Sequence, residues 1–323
     1  MKMRFLADRR GQLAALLAFA LAALAIVPAF AQQNDQAIKI QTELVTIDVV
    51  VTDKDGNFVR NLKPEDFKIY EDDAPQKIDF FEANEQTTMT RPLAVVFALD
   101  ISGSIKPEEV MKQREAAESF MKLMRPESVY SILAFNNMIR VVQDFTSEPR
   151  KVSEAFHKID HPGGSTRLFA SLDKGVSMLK RAPRFRSGRR LRRVIIVITD
   201  GIDSVDPVDQ RDMIQRANDA EVTVYSITLP SYLPGLGPNR RAMTLLDVAR
   251  IVPLTGGSDF SADTSDFTNI FKAIAEEIRS GYTLAYYPPD RTRHDGRIHQ
   301  LRIESLRKGA IIRASRTNYL AGK

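Results

Sequence analysis

The sequence predicts an α/β protein in which a doubly wound, mostly parallel sheet is accompanied by a smaller β-sandwich-like domain. Short apolar runs such as 93–99 and 194–198 are typical of buried parallel strands. Stretches with helical periodicity separate these runs, and this alternation favours helices on both faces of the sheet. Short alternating strands between turn residues stand at both ends of the chain, and they predict the sandwich.

The elements can be assigned in chain order. The N-terminal strands are expected at 44–51, 58–59, 67–71 and 78–81, and the C-terminal strands at 281–288, 301–303 and 310–313. Between them, strands are expected at 93–99, 130–135, 140–142, 194–199 and 222–227. The intervening helices are expected at 107–124, 168–179, 211–220, 242–252 and 266–279. Pro107 and Pro126 mark the two ends of the first helix.

The motif Asp100-Ile101-Ser102-Gly103-Ser104 follows directly on the apolar run 93–99. Open α/β sheets bind their ligands at the carboxyl ends of the strands, which is where this motif stands. A carboxylate and two hydroxyls are hard oxygen donors, and they suit Mg²⁺, Mn²⁺ or Ca²⁺ better than zinc or copper. Taken alone the motif is weak, because a turn that caps the following helix would use the same residues.

Two further segments strengthen the prediction of a metal site. Thr166 lies in a glycine-rich stretch just before a predicted helix, and Asp200 follows another predicted buried strand. Because the carboxyl ends of parallel strands share one edge, we expect Asp200 and Thr166 to reach the same point as Asp100.

The order Asp-x-Ser-x-Ser, Thr, Asp on three successive loops resembles the metal-ion-dependent adhesion site of the von Willebrand factor A family. The resemblance implies a metal site made of Asp100, Ser102, Ser104, Thr166 and Asp200. Mg²⁺ is the expected ion, with Mn²⁺ or Ca²⁺ as alternatives. We expect both serines to ligate directly, Thr166 directly or through water, and both aspartates to supply charge and to bind the coordinated waters.

In that family the ion keeps one open coordination position, which a carboxylate of the binding partner fills. The resemblance therefore implies an adhesion or protein-interaction module whose partner offers an Asp or Glu side chain, and no enzymatic activity. Two other functions stay open: a metal-independent docking module of the cell envelope, and a metal-dependent hydrolase. The hydrolase is disfavoured because the chain has no Gly-x-Ser-x-Gly turn and no P-loop, and its Asp100 lacks a second Asp two residues later.

The segments around the central domain resemble a bacterial exported family related to the von Willebrand A domain. The resemblance rests on the stretches 49–56, 65–67 and 282–288. The sequence thus predicts four parts: a signal peptide at 1–31, a β-rich segment at 32–89, the A-type domain at 90–279, and a C-terminal β segment at 280–323. We expect this last segment to pair with 32–89, because neither flank has enough strands to bury a sheet face by itself.

The first 31 residues are typical of a secretory signal peptide. Four basic residues precede the apolar stretch 13–27, and Ala29-Phe30-Ala31 fits a cleavage site. We therefore expect a secreted or periplasmic protein without a transmembrane span after cleavage. The alternative is an uncleaved membrane anchor, although the apolar stretch is shorter than the ~20 residues that a span needs.

Composition excludes several functional classes. The chain has no cysteine, which excludes thiol catalysis and cysteine-ligated zinc, and its four histidines lack metal-ligand spacing. Removing the leader lowers the net charge from +5 to +2, and no nucleic-acid partner is expected. A basic cluster remains at 180–193, for which a solvated loop and a docking patch for an anionic surface or partner are both open.

Overall fold

The computed structural model describes residues 44–83, 91–103, 107–159, 163–200, 208–229, 247–262 and 267–322. Its strands are β1 (Val45–Thr52), β2 (Phe67–Glu71), β3 (Ala74–Gln76), β4 (Phe80–Ala83), β5 (Leu93–Asp100), β6 (Val129–Phe135), β7 (Ile139–Thr146), β8 (Phe185–Arg186), β9 (Arg189–Arg190), β10 (Arg192–Thr199), β11 (Val222–Thr228), β12 (Asp259–Ser261), β13 (Tyr282–Tyr286), β14 (Ile298–Ser305), β15 (Ile311–Ala314) and β16 (Asn318–Leu320). The α-helices are α1 (Pro107–Leu123), α2 (Pro149–His157), α3 (Leu168–Arg181), α4 (Gln210–Asp219), α5 (Asp247–Ile251), α6 (Phe267–Arg279) and α7 (Asp290–Arg293).

The central strands form a six-stranded sheet in the order β12-β11-β10-β5-β6-β7. Five of these strands run parallel, and β7 is an antiparallel edge strand next to β6. The predicted fold class, a doubly wound and mostly parallel sheet, is confirmed. β7 can run antiparallel because only the short turn 136–138 connects it to β6.

Helices cover both faces of this sheet, which explains why all eight residues of β5 are buried. Alternate side chains of a strand point to opposite faces. Phe97 therefore packs against Phe120 of α1 and Phe271 of α6. The centroid of its ring lies 6.1 Å from that of Phe120 and 6.0 Å from that of Phe271. Its neighbour Val96 belongs to the other core layer, which also contains Leu172 of α3 and residues of α4.

The two ends of the chain form an antiparallel β-sandwich. One sheet has the order β15-β1-β13-β4 and the other the order β16-β14-β2-β3, so each contains N-terminal and C-terminal strands. The sheets share one apolar core, in which the rings of Phe67 and Tyr282 lie 5.4 Å apart. Strand β1 lies between β13 and β15, and Val49 pairs with Tyr282 on one side and Ala314 on the other.

The basic cluster at 180–193 differs from the predicted loop. Residues 185–190 form the β8–β9 hairpin, and Arg192 and Arg193 begin strand β10, where they are only 4% and 8% exposed. The prediction of a solvated loop is therefore wrong for these two arginines. Asp48 forms an ion pair with Arg192, and the carbonyl of Ala220 accepts a hydrogen bond from Arg193, so both guanidinium groups have buried partners.

Five other elements were not predicted from the sequence: α2, α7, β3, β12 and β16. The three strands are each three residues long, too short for an alternating pattern to be read, and β3 is an edge strand that accommodates Pro75. Of the predicted helix at 242–252, only the last part lies within the described residues. Among the helices that the described ranges contain, none is long and apolar enough to cross a membrane.

Candidate metal centre

Asp100 is the last residue of β5 and anchors the first loop of the site. Its Oδ1 accepts a hydrogen bond of 2.8 Å from the backbone N–H of Ser102, which turns the chain directly after the strand. Its Oδ2 accepts a hydrogen bond of 2.6 Å from the hydroxyl of Thr199. Asp100 therefore ends the strand rather than standing on the loop as predicted, while Ser102 lies on the loop itself.

The second loop, residues 163–167, is bound to the first by two backbone hydrogen bonds. The N–H of Gly163 donates to the carbonyl of Ile101 at 2.8 Å, and the N–H of Gly103 donates to the carbonyl of Gly164 at 3.2 Å. Gly164 has a φ of +87°, a conformation that L side chains rarely adopt. Two residues later Thr166 is almost fully buried, just before α3 begins.

Asp200 follows the last residue of β10 and belongs to the third loop. Strands β5 and β10 are parallel neighbours in which Leu99 pairs with Ile198, so Asp100 and Thr199 stand at the same level. The loops that carry Asp100, Thr166 and Asp200 thus meet at one edge of the sheet. The side chains Asp100, Ser102, Thr166 and Asp200 are between 1% and 5% exposed.

Burial raises the pKa of Asp100 to about 6. The hydrogen bonds from Thr199 and Ser102 act in the opposite direction, and the nearby negative charge of Asp200 adds to the rise. Two carboxylates with little access to water therefore repel each other at neutral pH, and a bound cation would relieve that repulsion.

The chemistry of these donors fits a divalent cation. Two carboxylates and the hydroxyls of Ser102 and Thr166 are hard oxygen donors at one edge of the sheet. The described ranges contain no cluster of three or more His, Cys, Asp or Glu side chains in metal-binding geometry. The remaining predicted ligand, Ser104, lies outside the described residues.

Asn136 supports the second loop and was not among the residues predicted for the site. Its Nδ2 donates to the carbonyl of Gly163 at 2.7 Å, and its own carbonyl accepts a hydrogen bond of 3.1 Å from the N–H of Arg167. Its Oδ1 also accepts from the N–H of Met138 at 2.9 Å, which forms the turn into β7. A signal was present in the sequence, because Asn136 directly follows a buried strand at the same edge as Asp100.

Comparison with known proteins identifies the class to which this arrangement belongs. Residues 94–249 match the family model of the von Willebrand factor type A domain. This central part of the chain is therefore a von Willebrand factor type A domain, attached to a β-sandwich built from both flanks.

Individual relatives are similar to part of this chain. Integrin alpha-M of Mus musculus is 28% identical over 138 residues, which are 41% of this chain and 12% of that protein. The collagen alpha-4(VI) chain of Mus musculus is 29% identical over 139 residues, which are 41% of this chain and 6% of that protein. The chain thus spans a small part of the relatives that it matches. A solved structure described as von Willebrand factor type A from Catenulispora acidiphila is 14% identical, with 80% of this chain and 74% of that chain covered and a TM-score of 0.48.

Proposed function

We propose that this protein is an exported interaction module that recognises a carboxylate of a protein partner through a divalent cation. Asp100, Ser102, Ser104, Thr166 and Asp200 would hold the ion, with Mg²⁺ as the expected metal and Mn²⁺ or Ca²⁺ as alternatives. We also propose the four-part division of the chain: a signal peptide at 1–31, a β-rich segment at 32–89, the A-type domain at 90–279 and a C-terminal β segment at 280–323.

The meeting of three loops around the buried Asp100 carboxylate carries this proposal. Asp100 is hydrogen-bonded to Ser102 in its own loop and to Thr199 beside Asp200. Backbone hydrogen bonds fix the loop before Thr166 to the loop of Ser102. This leaves two buried carboxylates close together, and the unfavourable charge that this creates favours a cation at the same place.

The donor set favours recognition over catalysis. When hydroxyls supply most of the direct ligands, the ion keeps much of its positive charge and attracts a further anionic ligand. A carboxylate from a partner protein would satisfy that demand. The relatives named above include an integrin and a collagen chain, which is compatible with an interaction role for the shared domain.

Export is supported by the N-terminal sequence. The basic residues, the apolar stretch 13–27 and the Ala-x-Ala site ending at Ala31 together form the pattern of a cleavable leader. Mass spectrometry of the protein from its native host should find an N-terminus at or near Gln32. Intact Met1 on cytosolic protein would contradict export without affecting the metal site.

Isothermal titration calorimetry with Mg²⁺, Mn²⁺ and Ca²⁺ tests the metal part of the proposal. We expect saturable binding of one ion per chain, and loss of that binding in Ser102→Ala. The matched control is Ser171→Ala, because Ser171 is also buried but its hydroxyl donates to the carbonyl of Leu168 within α3, away from the site. Absence of binding by all three ions at millimolar concentration would favour a metal-independent docking module instead.

A second experiment tests the partner's chemistry. Peptides with a single Glu or Gln at the same position should be compared for binding to the Mg²⁺-loaded protein. We expect only the Glu peptides to bind, and chelator to release them. Equal binding of both forms, or binding that persists in chelator, would overturn carboxylate recognition while leaving the metal site itself untouched.

A further inference from the structure

A two-residue turn fixes the shape of the β8–β9 hairpin. Its turn residues Ser187 and Gly188 have φ values of +50° and +72°, and Phe185 pairs with Arg190 across the ladder. Positive φ at both central residues is the geometry of the tight turn that suits the natural twist of two antiparallel strands. The hairpin is therefore a defined projection and not an irregular loop.

Positive charge without an acidic partner collects on one part of this projection. Among the residues that the structure describes, no acidic side chain forms an ion pair with Lys180, Arg181, Arg184 or Arg186. The first three are exposed or lie at the exposed end of α3, and Arg186 donates a hydrogen bond to the hydroxyl of Ser147. The basic hairpin surface is defined here as Lys180, Arg181, Arg184, Phe185 and Arg186.

The arginines just beyond this surface behave differently. Arg190 is paired with Glu221, and the buried Arg192 is paired with Asp48. These arginines hold the fold together at the base of the hairpin. The four basic residues of the hairpin surface form no such ion pair with a described residue.

An exposed aromatic ring lies among these charges. Phe185 is 61% exposed, although transferring a phenylalanine side chain out of water is favourable. Basic side chains beside an exposed apolar ring are typical of segments that rest on a lipid surface, where cations meet headgroup phosphates and the ring enters the acyl boundary. A polar soluble polyanion would use the charges but offers no apolar environment for the ring.

We propose that the basic hairpin surface docks the protein on a bilayer that contains anionic phospholipids. Its position suits this role, because the hairpin stands before the first residue of β10 whereas Asp200 follows the last. An eight-residue strand extends about 26 Å, so the two sites lie at opposite edges of the central sheet. Docking through the hairpin would leave the edge that carries Asp100 free for a partner.

Vesicle co-sedimentation of the full chain without its leader tests this proposal. The probes are vesicles of phosphatidylcholine with about one third phosphatidylglycerol, and vesicles of phosphatidylcholine alone. We expect partition onto the anionic vesicles that weakens as salt is raised, and no comparable partition onto the neutral ones. Replacing Arg181 and Arg184 by Gln should weaken it about thirtyfold, since each basic side chain near such a surface contributes about fivefold.

Two further variants distinguish a lipid surface from a soluble acidic partner. Phe185→Ser should weaken partition onto anionic vesicles about tenfold while leaving the binding of a soluble polyanion such as heparin unchanged. The control replaces the exposed Arg307 and Lys308, in the turn between β14 and β15, by Gln and should have little effect. Equal partition onto both kinds of vesicle, or an equal loss in the control, would overturn the proposal. It would also be overturned if Phe185→Ser bound anionic vesicles as the wild type does, a result that would indicate a soluble acidic partner.

Discussion

The hydroxyl of Thr199 donates a hydrogen bond of 2.6 Å to Oδ2 of Asp100, and it thereby joins the carboxyl ends of two neighbouring parallel strands. Because the other oxygen of Asp100 accepts from Ser102, the carboxylate is held from two sides. The orientation of the Asp100 side chain is thus set before any cation binds. A side chain that is already oriented loses less conformational entropy when the cation binds to it.

Removing that hydroxyl should weaken metal binding. Thr199→Val keeps the side-chain shape but loses a hydrogen bond to a charged group, which contributes about 1.5–3 kcal/mol. We expect the Mg²⁺ affinity to fall about tenfold to a hundredfold by calorimetry. Thr223→Val is the control, because Thr223 is also buried and its hydroxyl has no hydrogen-bond partner among the described residues. Unchanged affinity in Thr199→Val would mean that Thr199 does not position the metal site.

A bound cation should stabilise the fold. A ligand that binds only the folded state adds about 2.7 kcal/mol at a hundredfold excess over its dissociation constant. Thermal unfolding of the wild type should therefore shift upward with Mg²⁺ and return to its starting value with chelator. Asp200→Ala should abolish the shift while its metal-free form still unfolds cooperatively. A shift of wild-type size in this variant would place the stabilising ion elsewhere on the protein.

Asn136 should control the second loop of the site. Asn136→Asp keeps an acceptor for the N–H of Met138 but places a carboxylate oxygen against the carbonyl of Gly163, where a donor now stands. We expect the free energy of metal binding to weaken by about 0.5–1.5 kcal/mol, the range for one lost hydrogen bond. Asn137→Asp adds the same charge at the next, exposed residue, so an equal loss in that control would show that charge alone is responsible.

The contact between the sandwich and the central domain should depend on Asp48 of β1. This largely buried carboxylate lies 3.1 Å from Arg91 and 3.3 Å from Arg192. Burial alone would raise the pKa of Asp48, but the charges of Arg91 and Arg192, together with the hydrogen bond from Thr283 and the charge of Arg190, hold that pKa below its usual value. Asp48→Asn leaves buried Arg192 without its counter-charge, and it should lower the free energy of unfolding by about 3–5 kcal/mol in urea titrations.

The exposed ion pair between Asp73 and Arg302 supplies the control for that prediction. Asp73→Asn removes the same charge from a surface position and should change the free energy of unfolding by less than about 1 kcal/mol. Equal effects of the two substitutions would argue against a special role for the Asp48 junction.

His299 should make the stability of the sandwich depend on pH. Its two ring nitrogens contact Asp72 at 2.7 Å and Asp295 at 3.1 Å. Burial alone would lower the pKa of His299, but these hydrogen bonds and the two negative charges raise it above its usual value. A raised folded-state pKa contributes stability that is fully present below the unfolded-state pKa of about 6.5 and is lost as the pH rises through the folded-state value.

Urea unfolding at pH 6 and pH 8.5 measures this effect. The wild type should lose more stability between these values than His299→Gln, which cannot titrate. At the acidic end the sign reverses, because His299 lowers the pKa of Asp72 and that contribution disappears as the pH falls below the normal aspartate range. Identical pH dependence in wild type and variant would contradict the role of His299.

Much of the central fold could be predicted from local sequence. The helix expected at 107–124 spans Pro107–Leu123, and the strand expected at 222–227 spans Val222–Thr228. These predictions succeed because hydrophobic periodicity and proline act within a few residues of the element that they define. For the site, Asp100 and Asp200 could be predicted to share one edge, because both stand at the carboxyl ends of parallel strands. Thr166 could be predicted near that edge only from its glycine-rich loop before a helix.

By itself, then, the sequence determined the alternation of strands and helices, and it predicted which oxygen donors would hold an ion. Only the tertiary structure decided which distant groups meet. Strand β1 pairs with β13, Thr199 donates a hydrogen bond to Asp100, and Asn136 donates one to the carbonyl of Gly163. It also decided that Arg192 is buried, although an arginine-rich stretch suggests a solvated loop. The reason is physical, because burying an arginine is costly unless a partner is brought to it. For Arg192 that partner is Asp48, which lies 144 positions earlier in the chain.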